Sequence, residues 1–496
     1  MHQERDHHIL WKRKGVLRMK KSVTICKEQL LLGKKALNRW ECAVLFILIS
    51  ILIVAYGYND TIFLIRHGMN VWGTVFEGDG ILAFYTYNHV QAVQQQELGL
   101  LACDAMYDFT LYLIMAVWDL PLWIINKLSG IDVAATWWGI LYGKMLFVAF
   151  AYVGALIVEK ICLLLGVAKY KAEWAPIIYM TSLITISSVY IIGQCDSIGI
   201  VFILAGTYYY LKDDWKRFLI CFSIAISMKF FAVLVFAVLL VAREKRVLYI
   251  IGNMVAGVSV TLLSRLLFST ESTVGNTVKD DFSSIVLQLI MQNKMPLVNG
   301  AIPVSVFLVC LVIGVCYLQK EMKKRKLIWW IFIVNFVFFV SFDGTPYWYL
   351  YLGVMTVMVL VASFEYEKEK ILLLTLGECA LMGAHYIRYY WCYDVDKVNR
   401  TVVGKFLGMS QYTENSVTLQ KVATMPSAQL LISFLYTMFL VTFLIVVFSN
   451  FIRRDREETL LEENQWRRMM RCRIVCNMMV GYVPLVIYFV NRLVEK

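Results

Sequence analysis

With 59% hydrophobic residues spread over 496 positions, the chain is too apolar for a soluble globule and too long for a single membrane anchor. Its formal net charge of +12 does not point to nucleic acid, because the Lys and Arg residues gather in short stretches beside apolar runs, where the positive-inside bias accounts for them. The 12 cysteines are scattered, many within apolar runs, and show no paired ligand spacing; they read as small apolar fillers, with no metal or cofactor expected.

Residues 1–41 form a basic tail. Eleven Lys or Arg against three acidic residues before Glu41 give it a net charge of +8, which belongs on the cytoplasmic side against anionic lipid. No short apolar core with a small-residue cleavage site is evident, so the first span is expected to stay. Apolar runs then recur at about 42–58, 109–126, 134–158, 174–192, 196–211, 218–241, 247–268, 300–318, 327–341, 347–364, 371–386, 428–449 and 474–492. Lipid offers backbone groups no partners, so these runs must be helices, and the expected fold is an all-α polytopic membrane protein of about thirteen transmembrane helices. Alternation from a cytoplasmic start puts the basic stretches Arg243–Arg246, Lys320–Lys326 and Arg453–Arg473 on one side. The long polar loops fall on the other side, at 58–108, 269–299 and 386–428. The chain divides into a module over 42–268 and a second, more variable one over 269–496.

The first loop, Tyr58 to Asp108, is too aromatic and too acidic for a solvated tether. It holds Asp60, Arg66, His67, Glu77, Asp79, His89, Asp104 and Asp108, which suits a folded lid or a site at the membrane surface.

Four stretches carry a resemblance. Tyr58-Asn59-Asp60-Thr61 follows the first span directly. Tyr107-Asp108-Phe109-Thr110 opens the second. Gly193-Gln194-Cys195-Asp196-Ser197 and Ser227-Met228-Lys229-Phe230-Phe231 follow in order. In order and spacing these resemble the GT-C glycosyltransferases, polytopic enzymes that take a sugar from a polyprenyl-phosphate carrier on the outer or lumenal face of a membrane. The resemblance covers mainly residues 42–245, and the prolines usual in the second and fourth elements are absent. It implies a GT-C-like bundle with a large first external loop, an inverting hexosyltransferase of the mannosyl- or glucosyltransferase-like branch, and Asp60 as catalytic base. It further implies a polyprenyl-phosphate-linked sugar as donor, a glycan, lipid or protein acceptor, and a site on the outer face of the plasma membrane. A flippase of lipid-linked glycans and an envelope polysaccharide polymerase are the alternatives.

Each site residue has a plainer reading beside this one. Asp60 is either a base within reach of an acceptor hydroxyl or a carboxylate marking a helix end. Asp104 and Asp108, four apart, share a face if their segment is helical, and otherwise cap or charge the interface. Tyr107 belongs to the aromatic entry of the second span. Lys229 falls near the middle of its apolar run, where an ionised group must face a wet cavity or an ion-pair partner. Arg265 is placed to snorkel or to hold a phosphate. His385 and Arg388, amid tyrosines and Trp391, read as an acceptor site or an interfacial belt. Alternation sets Gln194 and Asp196 on the side away from Asp60, which favours a packing role for them.

Overall fold

The computed structural model describes residues 36–268, 287–297, 300–320, 322–341, 344–363, 365–407, 418–449 and 460–494. The basic tail to residue 35, most of the loops at 269–299 and 408–417, Asp343, and 450–459 lie outside the described residues. Of the described residues, 81% are helical. Among the described residues the one departure from all-α is an antiparallel hairpin, β1 (Lys294–Leu297) with β2 (Gly300–Pro303).

Helix α1 (Arg39–Ala55) starts at a capping box: the Asn38 side chain accepts from the Glu41 amide at 2.8 Å, and Glu41 accepts from the Asn38 amide at 2.7 Å. Three residues later α2 (Asn59–Glu77) departs at 76°. The expected loop is therefore largely helix, α2 followed by α3 (Phe84–Glu97). Helix α4 (Phe109–Ser129) runs beside α2, tied by Trp72 Nε1 to the Ala116 carbonyl at 2.8 Å and by Lys127 to Glu77 at 2.5 Å. Gly68 permits the approach, because a Cβ there would stand 2.4 Å from Asp119.

This pairing corrects the expected alternation. α4 is long and apolar enough to cross a membrane, but the chain after it returns to where it left: Asp132 meets Arg66 at 2.5 Å, and Lys144, in α5 (Trp137–Leu164), reaches the Tyr56 carbonyl at 2.9 Å. Thus α5 begins at the end of the bundle where α1 finishes. Helix α6 (Lys169–Ile192) comes back to that end through a π-helical turn at Ile186–Ile192, and α7 (Asp196–Leu211) leaves it again.

A second departure offsets the first. The run at 218–241 is not one span but α8 (Trp215–Met228) and α9 (Ala232–Arg243), broken at Lys229. Arg243 stacks over Trp215 and pairs with Asp213, so both outer ends of this hairpin lie together. At 1.5 Å per residue neither arm spans a bilayer core of about 30 Å. The Lys229 break is therefore set in from the ends of the longer helices.

The rest of the chain is α10 (Val247–Gly257), α11 (Ser259–Leu267), α12 (Val304–Leu318), α13 (Lys324–Phe339), α14 (Leu350–Ala362) and α15 (Glu367–Arg388). After them come the short α16 (Val395–Asn399), α17 (Val402–Leu407) and α18 (Leu419–Thr424), then α19 (Ala428–Ser449), α20 (Glu463–Gly481) and α21 (Val483–Val494). Among the described residues five helices are long and apolar enough to cross a membrane, or up to eight if each of three bent pairs is one span, against the thirteen expected from apolar runs alone.

Charge divides the bundle lengthwise. At the end opposite Asp60, cations close helix C-termini: Lys324 on the Leu211 carbonyl at 2.9 Å, Arg325 on Leu165 at 2.6 Å and Lys245 on Tyr317 at 2.7 Å. Arg471 meets Glu41 at 2.7 Å there, and Lys171 pairs with Glu367. The basic stretches around 243–246 and 320–326 thus do share one end.

Candidate functional site

Asp60 lies in the first turn of α2, just past the 76° bend, where the N-terminal amides favour a negative side chain. The Gln194 side-chain amide donates to its Oδ2. Gln194 sits between the π-helical turn and α7, and Gly193 before it has φ +71°, the left-handed conformation that glycine adopts without strain. Two residues on, Asp196 is buried at the start of α7 and meets Lys229 at 2.9 Å. The Tyr351 hydroxyl lies beside Asp196.

The Lys229 ammonium is enclosed by rings: Tyr107 at 5.0 Å, Tyr347 at 5.7 Å and Trp348 at 5.9 Å from their centroids, with the Tyr107 hydroxyl at 3.4 Å. Such faces offset part of the cost of burying a charge. Gln194 and Asp196 therefore stand with Asp60 and Lys229, not across the bundle from them. Nor does Lys229 float in mid-helix: it caps α8 in an extended conformation.

The second module contributes a wall that sequence reasoning missed. After α15 the chain crosses the α1–α2 bend, where the Lys397 carbonyl accepts from the Gly57 amide at 2.8 Å and the Thr401 hydroxyl donates to Ala55 O at 3.3 Å. Arg400 reaches Asn59 beside Asp60 and pairs with Asp396 at 3.0 Å, and Lys397 meets the same carboxylate at 2.6 Å. Only the basic, aromatic composition of 385–401 hinted at this.

The other expected residues disperse. Asp104 and Asp108 do not share a helix face, because 101–106 is irregular and Asp108 occupies the N-cap position of α4. Asp104 is partly exposed and pairs with His89 at 2.9 Å, while Asp108 faces Arg265 at 3.8 Å. The segment between is clamped from α2 and α3: Arg66 donates to Leu101 O, His67 Nε2 bonds Cys103 O at 2.9 Å, and Asn88 accepts from the Ala105 amide at 3.0 Å. Burial, with the Asp60 and Asp104 carboxylates adding to it, pushes the Cys103 thiol up to about 12. His385 is fully buried against Tyr349, Tyr389 and Tyr436, a packing position between α15 and α19, while the half-buried Arg388 stacks at 5.9 Å on Tyr389. No group of three or more His, Cys, Asp or Glu able to hold a metal occurs among the described residues.

The centre thus joins two carboxylates, an amide and a lysine from three separate stretches inside an aromatic enclosure, at a meeting of helix breaks. Comparison with protein-family models, curated proteins and solved structures finds no match for the chain.

Proposed function

We propose that the protein is an integral-membrane glycosyltransferase of GT-C type, moving a hexose from a polyprenyl-phosphate carrier to an extracytoplasmic glycan, lipid or protein acceptor. The observation that supports it is the meeting of Asp60 with Gln194, Asp196 and Lys229 at the end of the bundle away from the basic loops. In this reading the basic end faces the cytoplasm, as the positive-inside bias prefers. Asp60 takes the proton of the acceptor hydroxyl as that oxygen attacks the anomeric carbon, while the bond from the sugar to the phosphate breaks and the lipid phosphate leaves. Gln194 holds the carboxylate, and Asp196 neutralises Lys229 and fixes it beside Tyr107. Arg400, beside Asp60, and Arg265, opposite Asp108, are the cations set to meet a phosphate.

A second reading, a flippase of lipid-linked glycans, is favoured by the helix breaks at Gly193 and Lys229, since transporters place substrate sites at broken helices. Purified protein in proteoliposomes carrying a labelled polyprenyl-phosphate hexose separates the two. Label appearing on a water-soluble or lipid acceptor supports the enzyme; label reaching the opposite leaflet still on its carrier supports the flippase and removes the enzyme.

A further inference from the structure

The centre depends on two chain breaks being held in register, and the group that holds them is a lysine outside every motif. Lys144 is fully buried in α5. Its ammonium donates to Ile53 O at 2.9 Å, Tyr56 O at 2.9 Å and Tyr190 O at 2.5 Å, with Ile191 O at 3.4 Å. The first two carbonyls end α1, three residues before Asn59; the other two end α6, three residues before Gln194. Helix C-terminal carbonyls have no partner within their own helix and carry the negative end of the helix dipole, so two such ends repel unless a cation lies between them. The rest of the joint fits this arrangement. Thr61 Oγ1 donates to Gly193 O at 3.0 Å, and a Cβ at Gly193 would stand 2.9 Å from Lys144 Cγ.

We infer that Lys144 is a positioning residue, a tethered cation whose ammonium closes the C-termini of α1 and α6 together and so sets Asp60 against Gln194. The carbonyl cage that it fills is of the kind that coordinates monovalent cations at unwound helix ends, so removing the side chain should leave a site for a small ammonium-class ion. The joint itself stands on geometry; only its catalytic consequence rests on the glycosyltransferase reading.

The test is amide hydrogen exchange on the full chain in lipid nanodiscs, read at 57–61 and 192–197. Lys144→Ala should speed exchange in both segments together by about 10-fold or more, because both lose the same donor. Ammonium chloride should restore most of the protection, whereas choline chloride at equal ionic strength should not. Unchanged exchange in Lys144→Ala, or equal restoration by choline, overturns the inference. Should Lys144→Ala not accumulate, Lys144→Arg and Lys144→Met are compared. Arg keeps charge and donors and should protect both segments, and Met keeps the length alone and should loosen both; Met behaving as Arg overturns the inference. Sugar transfer measured on the same preparations should fall in step with the loosening. Absence of transfer in the unaltered protein defeats the enzyme reading while leaving the exchange result to decide the role of Lys144.

Discussion

Replacing Lys229 by methionine keeps most of the bulk inside the ring of Tyr107, Tyr347 and Trp348 but takes away the counter-charge 2.9 Å from Asp196. Both partners are buried, at 7% and 0% side-chain exposure, so water cannot replace the lost partner. Breaking a buried pair from one side costs about 3–5 kcal/mol, because the charge left behind is uncompensated. Asp196→Asn should cost a similar amount for the same reason. The double variant Lys229→Met/Asp196→Asn leaves an amide beside the Tyr351 hydroxyl and no buried charge, so it should cost less than the two single changes together, with a coupling of roughly 1–3 kcal/mol. Detergent-titrated unfolding of the four proteins measures the cycle. Single-variant costs that add to within about 0.5 kcal/mol would show that Lys229 and Asp196 do not act as a pair, and would refute the account of the enclosure. Of the two readings the sequence leaves for Lys229, a wet cavity and an ion-pair partner, this cost belongs to the second; a lysine facing a wet cavity would be lost at little cost to assembly.

Gly193→Ala should be among the most damaging small substitutions, because it forces a side chain onto φ +71° and within 2.9 Å of Lys144 and Thr61; yield of folded protein from membranes reads it, and a normal yield contradicts the turn geometry. Cys103, its thiol pushed up to about 12, should be alkylated at pH 8 at least about 100-fold more slowly than in the detergent-denatured chain, because only about one thiol in 10,000 is then ionised. Equal rates in the folded and denatured chains would show that the 101–105 segment is not held as described.

The fold class was legible because apolar runs and basic stretches are local properties, and lipid leaves a backbone little choice but helix. The count was not, because composition marks apolar runs but neither their breaks nor their packing: among the described residues five helices are long and apolar enough to cross, or up to eight if each bent pair is one span, and α4 packs along α2 through Gly68 and Trp72. Nor did the run at 218–241 reveal its break, although the cost of a mid-span lysine at 229 was the signal for one. These two departures cancel, which is why Lys245 still falls at the basic end while Gln194 and Asp196 change sides to join Asp60. Arg400 meets Asn59 from 341 positions away, a contact no local pattern encodes. His385 shows the converse: aromatic neighbours that would suit a sugar also suit plain packing, and here they surround a buried ring. Lys144 carried the same signal as Lys229, a lone cation in an apolar run, and its partners are backbone carbonyls that leave no trace in sequence.

The proposal that Asp60 is the base of a sugar transfer is tested most directly by Asp60→Asn, assayed for transfer of labelled hexose from polyprenyl phosphate in reconstituted membranes, with donor binding measured on the same preparation. The amide keeps the size and can still bond Gln194 but cannot take a proton, so transfer should fall by roughly 100- to 10,000-fold while yield and donor binding hold. Turnover near that of the unaltered protein would contradict the assignment.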